Sequence, residues 1–108
     1  MDETERNWLY QAIEHFGETN QMLKTQEELA ELNIEINNFL INSTKYSEKK
    51  PLSTKQLNEL RDRILNEIAD VEITTAQVKL ILNCSDEEFD NIKSKKFEKL
   101  YNVMKYKI

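Results

Sequence analysis

The sequence predicts an all-α fold in a single domain spanning residues 1–108. Only one glycine and one proline occur in the chain, so few positions interrupt a helix. Apolar residues also recur at helical spacing in four successive segments, with breaks near residues 17, 43–52 and 83–84. We therefore expect four helices that pack as a bundle.

The first predicted helix runs from about Thr4 to Phe16. Its apolar side chains recur at helical spacing, at Trp8, Leu9, Ala12, Ile13 and Phe16. Gly17 is the only glycine, and it stands where a residue with a left-handed backbone would end this helix. Trp8 and Phe16 are expected in the core, and stacking on a nucleobase is the alternative role for such aromatic rings.

Two long helices are predicted next, from Thr19 to Asn42 and from Ser53 to Leu82, and each carries two apolar stripes. The inner stripes comprise Leu29, Leu32, Ile36 and Phe39 on the first, and Leu57, Leu60, Ile64, Ile68, Val71 and Val78 on the second. The outer stripes comprise Leu23, Ala30, Ile34 and Ile41, and Ala69, Ile73, Ala76 and Leu80. Apolar residues on two faces imply burial on both sides, which predicts a homodimer or a homotetramer.

Local signals mark the remaining boundaries. Residues 43–52 break the helical periodicity, contain the only proline and form the predicted loop. Ser53 with Gln56 has the spacing of a capping box that opens the third helix, and Ser85 with Glu88 repeats that spacing before the fourth. Lys96 lies within the apolar stripe of the fourth helix, where a lysine either extends its amine to solvent or meets an anion.

Two pairs of acidic residues share one design. Glu28 and Glu31 are three residues apart on the second helix, and Glu67 and Asp70 repeat the spacing on the third. Each pair is predicted to flank an inner stripe, so packing of the two helices would bring four carboxylates to one seam. Two such charges 4 Å apart repel by about 4 kcal/mol at an effective dielectric constant near 20. Oxygen ligands of this kind suit Mg²⁺ and, next, Mn²⁺.

Composition excludes several other functions. The net charge of −5 disfavours binding to a nucleic-acid polymer, because no basic surface balances the acids. Cys84 is the only cysteine, which excludes an intrachain disulfide and fits a reducing compartment. No segment has the pattern of a signal peptide or a membrane span, so we expect a cytoplasmic protein that does not associate with a membrane.

The ordered acidic motifs resemble the EExxE and ExxD signature of the MazG-like all-α nucleoside triphosphate pyrophosphatases. The motif residues here are Gln21, Lys24, Glu27, Glu28, Glu31 and Leu32, followed by Glu67, Ile68, Ala69, Asp70 and Val71. The resemblance extends to the first and last helices through Trp8, Ala12, Phe16, Gly17, Lys96, Phe97, Lys99 and Leu100. Two features depart from the family: the spacer between Glu31 and Glu67 is long, and Lys99 stands where arginine is common.

This resemblance implies an oligomeric four-helix antiparallel bundle that hydrolyses a nucleoside triphosphate to the monophosphate and pyrophosphate. It implies that Mg²⁺, or Mn²⁺, is held by Glu28, Glu31, Glu67 and Asp70. When bound, the ion would neutralise the triphosphate and activate water. Lys24 and Lys96 would contact phosphate oxygens and, with Glu27 as a base or supporting residue, would make up the catalytic set. Further substrate contacts are implied for Trp8, Gln21 and Lys99, with Glu35 as an accessory ligand or base.

Other interpretations stay open on the sequence. The chain could be a non-catalytic helical oligomerisation module whose acidic residues form a solvated face. Within the same superfamily, the specificity could be that of a dUTPase, a dCTPase or a phosphoribosyl-ATP pyrophosphatase. The sequence does not select a base, because stacking by an aromatic side chain tolerates any of them.

Overall fold

The computed structural model describes residues 1–43 and 52–106, and within them it contains four helices and no strand. The helices are α1 (Glu3–Phe16), α2 (Glu18–Ser43), α3 (Thr54–Ile81) and α4 (Asp86–Tyr106). The all-α prediction is therefore confirmed. The loop predicted for residues 43–52 lies almost entirely outside the described residues. Among the described helices, none has an apolar run of the length needed to cross a bilayer.

Side-chain caps define where three of the helices begin. Ser53 accepts a hydrogen bond from the backbone N–H of Gln56 at 3.2 Å, and the Gln56 side chain accepts one from Ser53 N at 2.9 Å. This is the predicted capping box of α3. Ser85 likewise accepts a bond from Glu88 N at 3.1 Å at the start of α4. Asp2 and Glu5 form a third capping box at α1.

Gly17 separates α1 from α2 with a positive φ of 92°, a conformation that L side chains rarely adopt. Its N–H donates to the carbonyl of Ile13 at 2.8 Å, and its own carbonyl accepts from Gln21 N at 3.1 Å. One residue thus ends one helix and supports the first turn of the next. The prediction that the second helix starts at Thr19 is one residue late, because α2 already begins at Glu18.

The centre of the molecule is an antiparallel hairpin of α2 and α3, against which α1 packs. Among the described residues, Leu9 of α1 is the only buried apolar side chain, at 8% exposure. Trp8 and Phe16 are 62% and 55% exposed, so the expectation that they form the core is wrong. Leu9 is thus buried, whereas its larger neighbours Trp8 and Tyr10 are exposed.

The described part of α4 does not lie along the other three helices. Its first turn is attached by an ion pair between Arg6 and Asp86 at 2.7 Å and by Lys79, whose Nζ lies 4.1 Å from the centre of the Phe89 ring. Beyond that turn the helix projects away from α1, α2 and α3. A four-helix antiparallel bundle within one chain is therefore corrected to a three-helix unit with a projecting fourth helix.

Candidate metal centre

Three carboxylates converge in the middle of the hairpin. Glu28 and Glu31 lie one turn apart on α2, and Glu67 approaches them from α3. One carboxylate oxygen from each lies within 4.8 Å of the other two. Two segments that are far apart in sequence thus bring their acidic side chains to one place, because α2 and α3 pack antiparallel with these turns opposite each other.

Asp70, the fourth predicted ligand, is placed differently. It lies three residues beyond Glu67 on α3, is exposed, and contributes no oxygen to the three-residue group. Its negative charge nevertheless is among the causes that raise the pKa of Glu67. Asp70 therefore borders the cluster on its solvent side.

Glu28 is the most buried member of the cluster, with only 6% of its surface exposed. Its Oε1 lies 3.1 Å from Nζ of Lys24, one turn earlier on the same helix. Its Oε2 is buried and has no hydrogen-bond partner, and the same is true of Oε2 in Glu67 and in Glu35. A buried carboxylate oxygen without a partner is unfavourable, and among the described residues Lys24 contacts only the other oxygen of Glu28.

The crowded acids alter one another's protonation. Burial, followed by the neighbouring carboxylates of Glu28 and Glu31, raises the pKa of Glu67 to about 7. The charge of Glu28 raises the pKa of Glu31. The hydrogen bond to Glu28 raises the pKa of Lys24, so its amine stays protonated beside the cluster. These shifts indicate a site that takes up protons when no other cation balances its charge.

The acids occupy the seam between α2 and α3 rather than its edge. The sequence places them beside an apolar inner stripe, yet Glu28 is buried while Leu29 and Ile36 of that stripe are 47% and 41% exposed. The hairpin closes on the face that carries Glu28, so the inner stripes turn partly to solvent. The structure therefore corrects the prediction: the face that carries Glu28, and not the inner apolar stripe, lies at the centre of the contact between α2 and α3.

Neutral polar residues continue the seam toward α1. Gln21 Nε2 donates to Gln77 Oε1 at 2.6 Å, and both side chains are buried. Thr25 Oγ1 donates to the carbonyls of Gln21, at 2.9 Å, and Thr74, at 3.3 Å. Sequence reasoning missed Thr25, Thr74 and Gln77. Their signal was helical spacing, since Thr25 is three residues before Glu28, Thr74 is four after Asp70 and Gln77 is three after Thr74, a pattern that also fits a solvated face.

The predicted catalytic residues Lys24 and Glu27 lie at the mouth of the cluster. Lys24 Nζ is 3.7 Å from Glu27 Oε2 in addition to its contact with Glu28, so it links an exposed acid to a buried one. A groove of about 440 Å³ begins here, and it is lined by Phe16, Asn20, Gln21, Leu23, Lys24 and Glu27. The groove is of the size that small-molecule sites usually have.

Other predicted substrate contacts are not gathered at the cluster. Gln21 already bonds to Gln77, and Trp8 is exposed on α1 outside the groove. Lys96 and Lys99 are on the projecting part of α4, which does not pack on the hairpin of its own chain. Lys99 instead lines a surface groove of about 490 Å³ on α4 with Lys95, Glu98, Asn102, Val103 and Tyr106.

Fold and site together define an all-α protein with a cluster of three carboxylates, one buried and two half-buried, between two long antiparallel helices. Comparison with protein-family models, with curated proteins and with solved structures gives no match for this chain. The resemblance to the MazG-like pyrophosphatases therefore stays a prediction that rests on the motif residues.

Proposed function

We propose that the protein is a Mg²⁺-dependent nucleoside triphosphate pyrophosphohydrolase that releases pyrophosphate and a (deoxy)nucleoside monophosphate. One observation carries the proposal: Glu28 is 6% exposed, has an unpartnered Oε2, and lies among carboxylates contributed by two different helices. A solvated acidic face would leave these side chains in water. A buried carboxylate that faces other carboxylates is instead unfavourable unless a cation balances the charge.

The carboxylate spacing fits one divalent ion after a small adjustment. Oxygens bound to one Mg²⁺ lie 2.0–2.1 Å from it, so two of them are about 4.2 Å apart at most. Oxygens at the 4.8 Å limit of this cluster would have to approach by about 0.6 Å. Glu28, Glu31 and Glu67 would hold the ion, and Asp70 would complete the set from the solvent side. When bound, Mg²⁺ would supply neutralisation of the triphosphate and activation of a water molecule.

The chain's own charged residues suggest how a polyphosphate would be oriented. Among the described residues, Lys24 is the cation that contacts the cluster, and its amine lies between Glu28 and Glu27. In this position it can contact a phosphate oxygen and stabilise the charge that develops as the α–β bond breaks. Glu27 is exposed beside it and can accept a proton from water. Glu35, one turn beyond Glu31, offers a further buried and unpartnered oxygen as an accessory ligand.

The remaining substrate contacts are proposed from the resemblance. Trp8 offers an exposed ring for stacking on a base, and Gln21 lines the groove beside Lys24. Lys96 and Lys99 would contact the triphosphate once α4 lies near a carboxylate cluster. Comparison of substrates will decide whether the specificity is that of a dUTPase, a dCTPase or a phosphoribosyl-ATP pyrophosphatase.

The direct test is pyrophosphate release from a panel of substrates. The protein is incubated with Mg²⁺ and each canonical ribo- and deoxynucleoside triphosphate, dUTP and phosphoribosyl-ATP, and the products are separated. We expect pyrophosphate and a monophosphate in equal amounts from at least one substrate. Glu28→Gln is the inactive control, and Glu72→Gln, an exposed acid on α3, is the matched active one. Orthophosphate as product, or no product from any substrate, would overturn the proposal.

The large exposed apolar surface favours a second candidate, a non-catalytic helical oligomerisation module. Apolar side chains on all four helices are more than one-third exposed, including Leu23, Ile34 and Ile73. An oligomer would need this surface whether or not it were an enzyme. A module without catalysis would release no pyrophosphate, and its folding would be unaffected by Mg²⁺, which separates the two candidates.

A further inference from the structure

The single chain exposes far more surface than a compact protein of its mass. Its accessible area is 8985 Å², whereas a folded monomer of 12.9 kDa exposes about 6,300 Å². The radius of gyration is 17.9 Å, against about 13 Å for a compact domain of this length. The excess is roughly 2,700 Å² per chain, slightly more than the roughly 1,000–2,500 Å² that each partner buries in most obligate dimers.

Much of the exposed apolar surface lies on two elements that do not cover each other. On α4, Phe97, Leu100 and Val103 are 62%, 52% and 46% exposed. On the hairpin, the inner-stripe residues Leu29 and Ile36 are also largely exposed. Each surface is a stripe along a helix, and each needs an apolar helix opposite it.

The junction between α3 and α4 directs α4 away from the hairpin of its own chain. Asn83 has a positive φ of 56°, and the N–H of Cys84 donates to the carbonyl of Lys79 at 2.9 Å, which ends α3. The ion pair between Arg6 and Asp86 then fixes the first turn of α4 against α1. With these contacts in place, α4 beyond its first turn does not pack on the hairpin of its own chain.

We infer that α4 packs on the α2–α3 hairpin of a second copy of the chain, and that the second copy returns the same contact. A two-fold axis makes the exchange reciprocal and closes the assembly, so both pairs of stripes are covered. Charge favours the same arrangement. Residues 93–106 contain five lysines and one glutamate, a formal charge of +4, whereas the seam of the hairpin is acidic.

The exchange has a consequence for the carboxylate cluster, and that consequence alone rests on the proposed function. With 21 residues, α4 is about 30 Å long and reaches along most of the partner's hairpin. Lys96, halfway along α4, would then serve the cluster of the other copy. The carboxylate cluster and Lys96, which lie apart within one chain, would then meet at the interface between two chains.

Isotope-filtered methyl NMR tests the exchange without any assay of activity. Labelled and unlabelled chains are mixed by co-refolding, and nuclear Overhauser effects are recorded only between chains. We expect interchain effects from the methyl groups of Leu100 and Val103 to those of Leu32, Ile36 and Ile64, in an assembly with at least twice the mass of 12.9 kDa. The same effects found only within a chain, their absence, or a monomer by sedimentation would each overturn the inference.

Two variants test whether the chains associate through the apolar stripe of α4. Leu100→Asp places a charge in the proposed interface and should weaken self-association by roughly 100-fold. Asn102→Asp adds the same charge about 200° around the helix axis and should change association by less than about threefold. Equal effects of the two substitutions on sedimentation, with unchanged helical content, would contradict packing through this face of α4.

Discussion

Nζ of Lys24 lies 3.1 Å from Oε1 of Glu28, and this contact leaves Oε2 of the same carboxylate buried without a partner. One lysine therefore balances one of at least three acids that meet between α2 and α3. The remaining negative charge explains both the raised pKa values of Glu31 and Glu67 and the proposal that the hairpin holds a divalent cation.

Glu28→Gln should remove turnover and divalent-ion binding while leaving the helices intact. Without Mg²⁺, the variant should be more stable than the wild type by about 1 kcal/mol, because an amide can donate to Glu31 or Glu67 where a carboxylate repels them. Urea unfolding followed by circular dichroism measures the difference, with Glu72→Gln as the exposed control. A metal-free variant that is clearly less stable would contradict the charge-repulsion account.

Asp70→Asn should also abolish turnover, but with a smaller effect on the stability of the metal-free protein. Asp70 is exposed and borders the cluster, so its charge is better screened by water than that of Glu28. Steady-state kinetics with the best substrate of the panel give the comparison, and Asp62→Asn on the same helix is the control. Full activity of Asp70→Asn would exclude it from the metal site.

The metal-free protein should lose stability as the pH rises from 5 to 8. The pKa of Glu67 is raised to about 7 in the folded protein from an ordinary value of 4.5, so folding favours its protonated form. The resulting stabilisation is complete below the ordinary value and is lost as pH rises through about 7. Thermal unfolding without metal should show this decline, and Glu67→Gln should flatten it. With saturating Mg²⁺ the slope should reverse, because protons and the ion compete for the same oxygens.

Lys24→Gln should destabilise the metal-free protein at pH 8 and reduce turnover. The substitution removes the one cation that contacts the buried Glu28 carboxylate among the described residues, whereas Lys55→Gln on the surface of α3 serves as the neutral control. Differential scanning calorimetry should show a lower unfolding temperature for Lys24→Gln only. Equal unfolding temperatures for both variants would mean that the ion pair adds nothing to the fold.

Mixing two inactive variants should restore activity if α4 is exchanged. A dimer of Glu28→Gln and Lys96→Ala chains would contain one site with both wild-type residues, because Lys96 acts on the other copy's cluster. Random pairing of equal amounts should give about a quarter of the wild-type activity. Mixtures no more active than the separate variants, despite confirmed chain exchange, would place Lys96 elsewhere.

Local patterns allowed the helices and most of their ends to be predicted. The capping box of Ser53 with Gln56 and the break at Gly17 depend on residues close in sequence, so spacing alone identifies them. The seam was harder, because α2 and α3 are apolar on more than one face and a helical wheel does not say which face meets the partner. Glu28 was assigned to an edge for this reason, although it lies at the centre.

The burial of the polar residues in the seam also could not be predicted from the sequence. The Thr74 hydroxyl donates to the carbonyl of Asp70 in its own helix, whereas the Thr25 hydroxyl also donates to the Thr74 carbonyl, a bond that exists only when α2 and α3 pack together. The position of α4 likewise depends on contacts between residues that are far apart in sequence. Its apolar stripe predicts a partner, but its direction depends on the conformation of Asn83 and on the contact between Arg6 and Asp86, which lie far apart in sequence.

Direct titration with Mn²⁺, followed by the loss of the free-ion electron paramagnetic resonance signal, tests the central claim that the hairpin carboxylates form a cation site. The account predicts saturable binding to the wild-type protein that Mg²⁺ displaces and that Glu28→Gln and Glu67→Gln both abolish, with Glu72→Gln unaffected. Binding of equal strength in all four proteins, or none in the wild type, would contradict it.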